Sequence, residues 1–449
     1  KMPEGSDGFL TGTKLIKDKI YKISEAQLRI DNSLNNILKK ERIVRLIKDM
    51  EADIHSLRGF KYPLDTEFVK AYKKWLEIAN EQMIECDKTT KKEKISQIYN
   101  AGEAVKRDKD AFVNRTSVVK EMEDCITSEA GCSGIVLYGR RRVGKTTIFY
   151  NLDQSLENTF YNIIYVDMQE SRYNSTFING FIFGLYEKIM PFADIETSKP
   201  NNVQEFYELI KKCNSNLISK NRYLLICIDE FEFIHMKIDD GTFEIDLLST
   251  IRLSVQNCRN IIWIFGGSHK ITELEGVNWT SYLISLKTIE VPFFTLDEVR
   301  TLLVKPYKFS GINEIKDTKI EIWNDELIDI IYKETAGWPF FVQEVANKAI
   351  VFLNENNNGE VLNKDLLEMA LEKVTESVYN NFNQLLNEES KIEGEWDYIL
   401  NFSENKFQNK PSNYKIRESL KRRYIVDEVN GKYKLKVPLM ERWLKCYFG

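Results

Sequence analysis

Gly134-Ile-Val-Leu-Tyr-Gly-Arg-Arg-Arg-Val-Gly-Lys-Thr-Thr147 is the stretch on which the fold turns. A short run of β-prone apolar residues leads into Gly139-Arg140-Arg141-Arg142-Val143-Gly144-Lys145-Thr146, which fits GxxxxGK[ST], and the residues beyond it read as a helix. Strand, glycine-bounded loop and helix, in that order, make a phosphate-binding loop. Gly139 and Gly144 let the backbone curl so that amide N–H groups and the helix N-terminus face the phosphates. Lys145 is there to neutralise the β and γ charge, and the Thr146 hydroxyl to coordinate Mg²⁺. Arg142, Val143 and Thr147 belong to the same nucleotide-contacting run, although the side chains of Arg140 to Arg142 read as solvated or sheet-packing rather than as phosphate ligands.

Working outward, Tyr223-Leu-Leu-Ile-Cys-Ile228 is a buried-strand run that ends in Asp229-Glu230. Phosphoryl transfer needs such an acidic pair at a strand's C-terminal edge: Asp229 to hold Mg²⁺ and its waters, Glu230 to orient and polarise the attacking water. A further strand, Ile261-Ile-Trp-Ile-Phe265, ends in Gly266-Gly267-Ser268-His269. Ser268 is the candidate sensor of the γ-phosphate or the water. His269 comes second, because a single histidine after a strand is commonly a solvated loop residue. The candidate catalytic set is therefore Lys145, Glu230 and Ser268, with Thr146 and Asp229 as metal ligands.

At 449 residues the chain is too long for one ordinary core, and 43% hydrophobic with 29% charged residues is a globular composition. A net charge of −5 exerts no global pull on polyanions, so any nucleic-acid contact needs a local basic patch. Seven cysteines without a CxxC pair, and three histidines, argue against a disulfide framework and against a structural zinc site, and point to a reducing, cytoplasmic compartment. No apolar run approaches the roughly 20 residues that cross a bilayer, so no membrane partner is expected. The chain opens on Lys1-Met2, which reads as a tag remnant or the trimmed remainder of a longer protein.

The expected organisation is an α/β P-loop NTPase, a parallel sheet flanked by helices, joined to three helical or mixed units. From Lys14 to Val105 the pattern is helical, with Ile43, Ile47, Met50, Ile54 and Leu57 on one stripe and Phe68, Tyr72, Trp75 and Ala79 on another, broken at Tyr62-Pro63. That predicts a small antiparallel bundle over 1–105, and the nucleotide-binding unit then covers 106–292. Strands are expected at Gly134 to Tyr138, Asn162 to Met168, Tyr223 to Ile228, Ile261 to Phe265 and Leu286 to Val291. Helical periods from Val299 to Glu376 make a lid over 293–378. Two helices, an Asn430-Gly431 hairpin and a closing helix predict a winged helix over 379–449.

Taken together, Phe112-Val113-Asn114-Arg115, the phosphate loop, Ile228-Asp-Glu230, Gly267-Ser268 and Ala336-Gly337-Trp338-Pro339 resemble the STAND class of AAA+-related ATPases, closest to its archaeal-type and bacterial NLR-like members. The resemblance covers about residues 100 to 449. It implies that Phe112, Val113 and Arg115 line the adenine and ribose side, with Asn114 in place of the usual glycine and able to keep a left-handed turn. It implies that Pro339, and with it Trp338, touches the base from the lid. It further implies ATP and ADP as cofactors, a closed ADP form that exchanges to ATP and oligomerises, and an effector or sensor partner, in antiviral or conflict defence. An arginine finger would be Arg252 or Arg259. The family usually carries its sensor beyond the winged helix, so with Gly449 closing the chain the sensor is expected elsewhere.

The competing reading is an initiator or mobile-element ATPase resembling the Orc/Cdc6 group, which would bind DNA through the winged helix. Lys415, Arg417, Lys421, Arg422, Arg423, Lys432, Lys434 and Lys436 make its helix and wing basic. A third reading puts an enzyme upstream of Lys1, with this chain as its trigger.

Overall fold

The computed structural model describes residues 6–33, 36–57, 64–89, 95–128, 131–156, 160–170, 173, 177–193, 198–274, 276–308, 322–355, 362–388 and 390–449. The break at Tyr62-Pro63 lies outside them. Three helices come first, α1 (Ser6–Asp31), α2 (Asn36–Leu57) and α3 (Val69–Thr89). Ile43, Met50, Ile54 and Leu57 of α2 are buried against Tyr72 and Ala79 of α3, so the two apolar stripes close on each other as an amphipathic bundle requires. The helical pattern fails after α3: Ile95–Val105 contains no helix, and Gly102 sits at φ 98°. There the backbone is bound by side chains from elsewhere, as described below.

The central unit runs α4 (Thr116–Ile126), β1 (Ile135–Tyr138), α5 (Lys145–Tyr150), α6 (Leu152–Ser155), β2 (Tyr161–Asp167), α7 (Ile178–Ala193), α8 (Val203–Ser219), β3 (Tyr223–Asp229), α9 (Glu232–Asp239), α10 (Asp246–Asn257), β4 (Ile261–Gly267), α11 (Trp279–Leu283) and β5 (Lys287–Glu290). All five strands are parallel, in the order β2-β3-β4-β1-β5. Helices cover both faces, and the strand residues sort between two cores by the two-residue period of a strand. Ile135, Leu137, Leu225, Cys227, Ile262 and Ile264 face one core; Val136, Leu224, Ile226, Ile228, Trp263 and Phe265 face the other. The order inserts β4 between the strand that feeds the phosphate loop and the strand that ends in Asp229. Loop and carboxylates therefore meet across one strand's width at the C-terminal edge.

Four helices follow, α12 (Leu296–Lys308), α13 (Asp325–Thr335), α14 (Pro339–Glu355) and α15 (Lys364–Ser377). The last part holds α16 (Tyr379–Asn383), α17 (Glu395–Leu400), β6 (Gln408–Asn409), α18 (Tyr414–Arg422), β7 (Val426–Val429), β8 (Lys432–Leu435) and α19 (Pro438–Phe448), with the three strands in an antiparallel sheet. These helices and the first face of the parallel sheet share one continuous apolar core. The C-terminal part docks on the sheet's edge: Tyr138 donates to the Arg422 carbonyl at 3.2 Å, Tyr424 donates to Glu290, and Phe293 packs between Tyr424 at 5.6 Å and Trp338 at 4.7 Å.

Two expectations need correction. Arg423 is not part of a basic surface; it is 3% exposed and ion-paired at 2.8 Å with Glu395, which is fully buried. Asn114 is not among the residues with positive φ, so it does not stand in for glycine's left-handed geometry. The cysteines are free, as their spacing implies, although the Cys125 and Cys132 sulfurs lie 3.1 Å apart. No helix among the described residues is long and apolar enough to cross a membrane.

Candidate functional site

The loop between β1 and α5 is shaped by its glycines. Gly144 takes φ 100° and ψ 23° at the start of α5, a left-handed conformation that favours glycine, and a Cβ on Gly139 would lie 2.8 Å from the Val291 carbonyl oxygen. Arg142 also has positive φ, at 64°. The curl brings the Lys145 ammonium back over the loop, where it donates to the Gly139 and Arg140 carbonyls at 2.8 and 3.1 Å. Lys145 is 5% exposed, and burial pulls its pKa down despite nearby Glu230 and Asp229.

Asp229, 2% exposed, stands next to the site through Thr146 without lining the cavity itself. Its Oδ2 accepts from the Thr146 hydroxyl at 2.6 Å and from Tyr165 at 3.2 Å, and its Oδ1 accepts from the Glu230 amide at 3.1 Å. Gly266 makes room for this: a Cβ there would meet the Phe149 ring at 2.4 Å and Asp229 Oδ1 at 2.9 Å. Burial raises the pKa of Asp229, and burial likewise raises that of Glu230. Glu230 stands at φ 53°, an uncommon conformation for a side-chain-bearing residue, and lines the cleft directly.

The cleft is a cavity of about 500 Å³. Val143, Gly144, Lys145, Thr146, Thr147 and Arg142 line it from the loop, Val113 and Arg115 from the segment before α4, and Pro339 from the first turn of α14. Arg115 is held there by the Pro292 carbonyl, an ion pair to Glu298 at 3.3 Å and the Phe294 ring 4.9 Å away. Phe112, Gly139 and Trp338 do not line the cavity; Phe112 is buried, and Trp338 is packed on Phe293 and Phe341.

Ser268 and His269 are drawn elsewhere. The Ser268 hydroxyl donates to Glu232 at 3.1 Å, His269 Nδ1 lies 3.2 Å from the same carboxylate, and neither residue lines the cavity. Burial pushes the Glu232 carboxyl up, but the hydrogen bonds from His269 and Ser268 outweigh it and hold the group below its usual range. Arg252 and Arg259 are exposed on the surface, Arg252 donating to the Ser281 carbonyl at 3.0 Å.

Sequence reasoning did not find the contacts that tie this cleft to its surroundings. The Arg142 guanidinium lies 4.4 Å over the Phe340 ring, and Asn381, its amide turned to accept, takes a hydrogen bond from it. The Val105 amide donates to Thr147 Oγ1 at 3.1 Å. Asn151 donates to the Val105 carbonyl at 2.9 Å and accepts from the Arg107 amide at 2.5 Å. Ile95 exchanges two bonds of 2.8 Å with the Asn354 side chain on α14, and Asp110 is ion-paired with Arg42 on α2. The only sequence signal for any of these was the proximity of Phe340 to Pro339.

No family model matches the chain, and no curated protein matches it. Among solved structures it is similar to the Walker-type ATPase PABY2304 of Pyrococcus abyssi, with a TM-score of 0.52 and 15% identity over 74% of this chain and 96% of that one. Looser similarities include the Aeropyrum pernix ORC2 protein in its ADPNP-ADP complexes, at TM-score 0.45, 14% identity and coverage of 74% and 92%. The Aeropyrum pernix ORC1 protein in complex with DNA has TM-score 0.37, 15% identity and coverage of 75% and 94%. At these identities the likeness to PABY2304 concerns architecture alone. The chain has a P-loop NTPase fold, a five-stranded parallel sheet flanked by helices with a helical C-terminal region.

Proposed function

We propose that the chain binds ATP and ADP with Mg²⁺ in the 500 Å³ cleft, hydrolyses ATP slowly, and works as a nucleotide-dependent switch of the STAND type. The observation that carries this reading is the hydrogen bond of 2.6 Å between Thr146 and Asp229 beside the buried Lys145. It couples the phosphate loop to the carboxylate strand with oxygen donors only, the set a hard divalent cation prefers. Thr146 and Asp229 fit Mg²⁺, which would neutralise phosphate charge when bound. Lys145 leaves the Gly139 and Arg140 carbonyls for the β and γ oxygens. Glu230, raised by burial, aligns the attacking water and accepts its proton as the bond to the γ-phosphorus forms and the bond to the leaving ADP oxygen breaks. Ser268 then acts through Glu232 rather than on the phosphate.

Switching is supported by Arg142, which joins the phosphate loop to Phe340 and Asn381, and by the docking of Tyr424 on Glu290. In this reading 1–105 recruits or is the effector, 106–292 binds nucleotide, 293–378 is the lid and 379–449 a winged helix that restrains the resting state. ATP releases the restraint and lets copies of the chain assemble, in conflict defence. A second reading, an Orc/Cdc6-like DNA-binding ATPase, is favoured by Lys415, Lys421, Arg422 and Lys432, all exposed on α18 and β8.

Light scattering on wild type, Lys145→Ala and Glu230→Gln, with ADP or with ATP and Mg²⁺, and with or without duplex DNA, tests both. The switch predicts a discrete ATP-dependent oligomer of Glu230→Gln without DNA, and none for Lys145→Ala. Assembly on DNA alone would transfer the case to the second reading. A mass indifferent to nucleotide in every variant would sink the switch.

A further inference from the structure

Two polar groups in the wall of the cleft are left without partners. Gln343 lines it from α14, one turn beyond Pro339 and Phe340; the residue is 7% exposed and its Oε1 is buried with no hydrogen-bond partner. Arg115, 4% exposed, donates Nη2 to the Pro292 carbonyl; its Nε lies 3.3 Å from the Glu298 carboxylate without a hydrogen bond, and its Nη1 is buried with no acceptor. Ala111, Val113, Phe294 and Phe340 supply apolar surface to the same cavity. Buried groups are hydrogen-bonded as a rule, so an orphaned acceptor and an orphaned donor in the wall of one cavity point to a ligand that brings the complement.

The chemistry of the complement is specific. Guanidinium only donates, so Nη1 needs an acceptor; the amide oxygen needs a donor. Adenine supplies an exocyclic amine beside a ring-nitrogen acceptor, whereas hypoxanthine and guanine carry a carbonyl oxygen where adenine carries the amine. We propose that Gln343 selects adenine, its carbonyl accepting from the exocyclic amine, with Arg115 donating to a ring nitrogen. The selection rests on the nucleotide-binding reading above. Gln343 is a specificity residue here and has no part in phosphoryl transfer. A site built to hydrogen-bond one polar group rejects the analogue that lacks it far more strongly than an apolar pocket does.

Calorimetric titration of the full chain with ADP and with inosine diphosphate, in which a carbonyl replaces the amine and the adjacent N1 carries a proton, makes the test. Wild type is expected to bind ADP tighter by about tenfold or more. Gln343→Leu should bring ADP down to the inosine diphosphate affinity and leave the latter unchanged, a split that a merely structural role would not produce. Equal wild-type affinities for the two ligands would overturn the proposal without any variant having to fold, as would a Gln343→Leu protein that keeps the preference. If wild type binds neither, the nucleotide reading falls and this one with it; if it binds both equally and Lys145→Ala binds neither, only the base selection falls.

Discussion

Two of the constellations of buried charge among the described residues are built on opposite principles. Arg423 and Glu395 form a closed pair: Arg423 Nη1 donates to Glu395 at 2.8 Å and to Ser390 Oγ at 3.1 Å, and Nη2 donates to the Leu385 and Leu386 carbonyls. Lys145, Asp229 and Glu230 form an open one. Lys145 rests on main-chain carbonyls instead of a carboxylate, and burial drives both acids toward their neutral forms and the lysine toward its own. The closed pair sets one charge against its opposite, whereas in the open set Lys145 and Asp229 are held by neutral partners, main-chain carbonyls on one side and hydroxyl and amide groups on the other. The contrast separates buried charge that staples the fold from buried charge that waits for a ligand.

The largest effect should come from breaking the closed pair. Arg423→Met leaves Glu395 buried and unpaired and is expected to lower stability by about 3–5 kcal/mol in urea denaturation, whereas combining it with Glu395→Leu should recover most of the loss. Failure of the double variant to recover would mean that the carbonyl contacts, not the ion pair, hold the joint.

The open set predicts the reverse behaviour. A carboxyl whose pKa is raised by folding binds its proton more tightly in the folded state, so its contribution is fully present below the unfolded value near 4 and is lost as pH rises through the raised one. Nucleotide-free protein should therefore lose stability from these groups as pH climbs from about 4 toward neutrality. Asp229→Asn should flatten that slope, leave the melting temperature at pH 7 equal or higher, and abolish the Mg²⁺-dependent part of nucleotide affinity. A steep fall in melting temperature for this variant would move Asp229 into the stapling class.

Smaller effects are expected where the cleft meets its neighbours. Arg142→Ala removes a cation–π contact to Phe340 and should loosen the first turn of α14 by about 0.5–1 kcal/mol, read as faster amide exchange there. Arg442, half-exposed between Glu334 at 2.9 Å and Glu368, is the weakest case. Arg442→Ala should cost no more than about 1 kcal/mol and shift the melting temperature least at high salt.

The phosphate loop was legible because its whole signal is local: glycines at fixed offsets, a lysine and a hydroxyl between a strand and a helix. The strands were legible for the same reason, to within one or two residues at most ends. Ser268 was placed correctly at a strand tip, yet its partner could not be read, because Glu232 on α9 reaches it only through the pairing of β3 with β4. Arg423 read as surface charge because it follows Lys421 and Arg422 at the end of α18, and nothing local says that the last of these three basic residues points inward toward Glu395. Helical texture before Val105 was misleading because Ile95 and Val105 find their hydrogen bonds in Asn354 and Asn151, far away in sequence. Long-range side-chain to main-chain bonds leave no periodic trace.

The stretch from Ile95 to Asp110 is fastened to three parts of the molecule: to Leu303 on α12 and Asn354 on α14, to Thr147 and Asn151 beside the phosphate loop, and to Arg42 on α2. A short cord knotted to three bodies cannot remain slack to the motion of any of them. Should α14 tilt away from the loop, the span between Ile95 and Val105 must tighten or slip a knot, and either event pulls on the end tied to α2. The leading helices are thereby geared to α14 by backbone geometry, so they would report the tilt without touching the nucleotide.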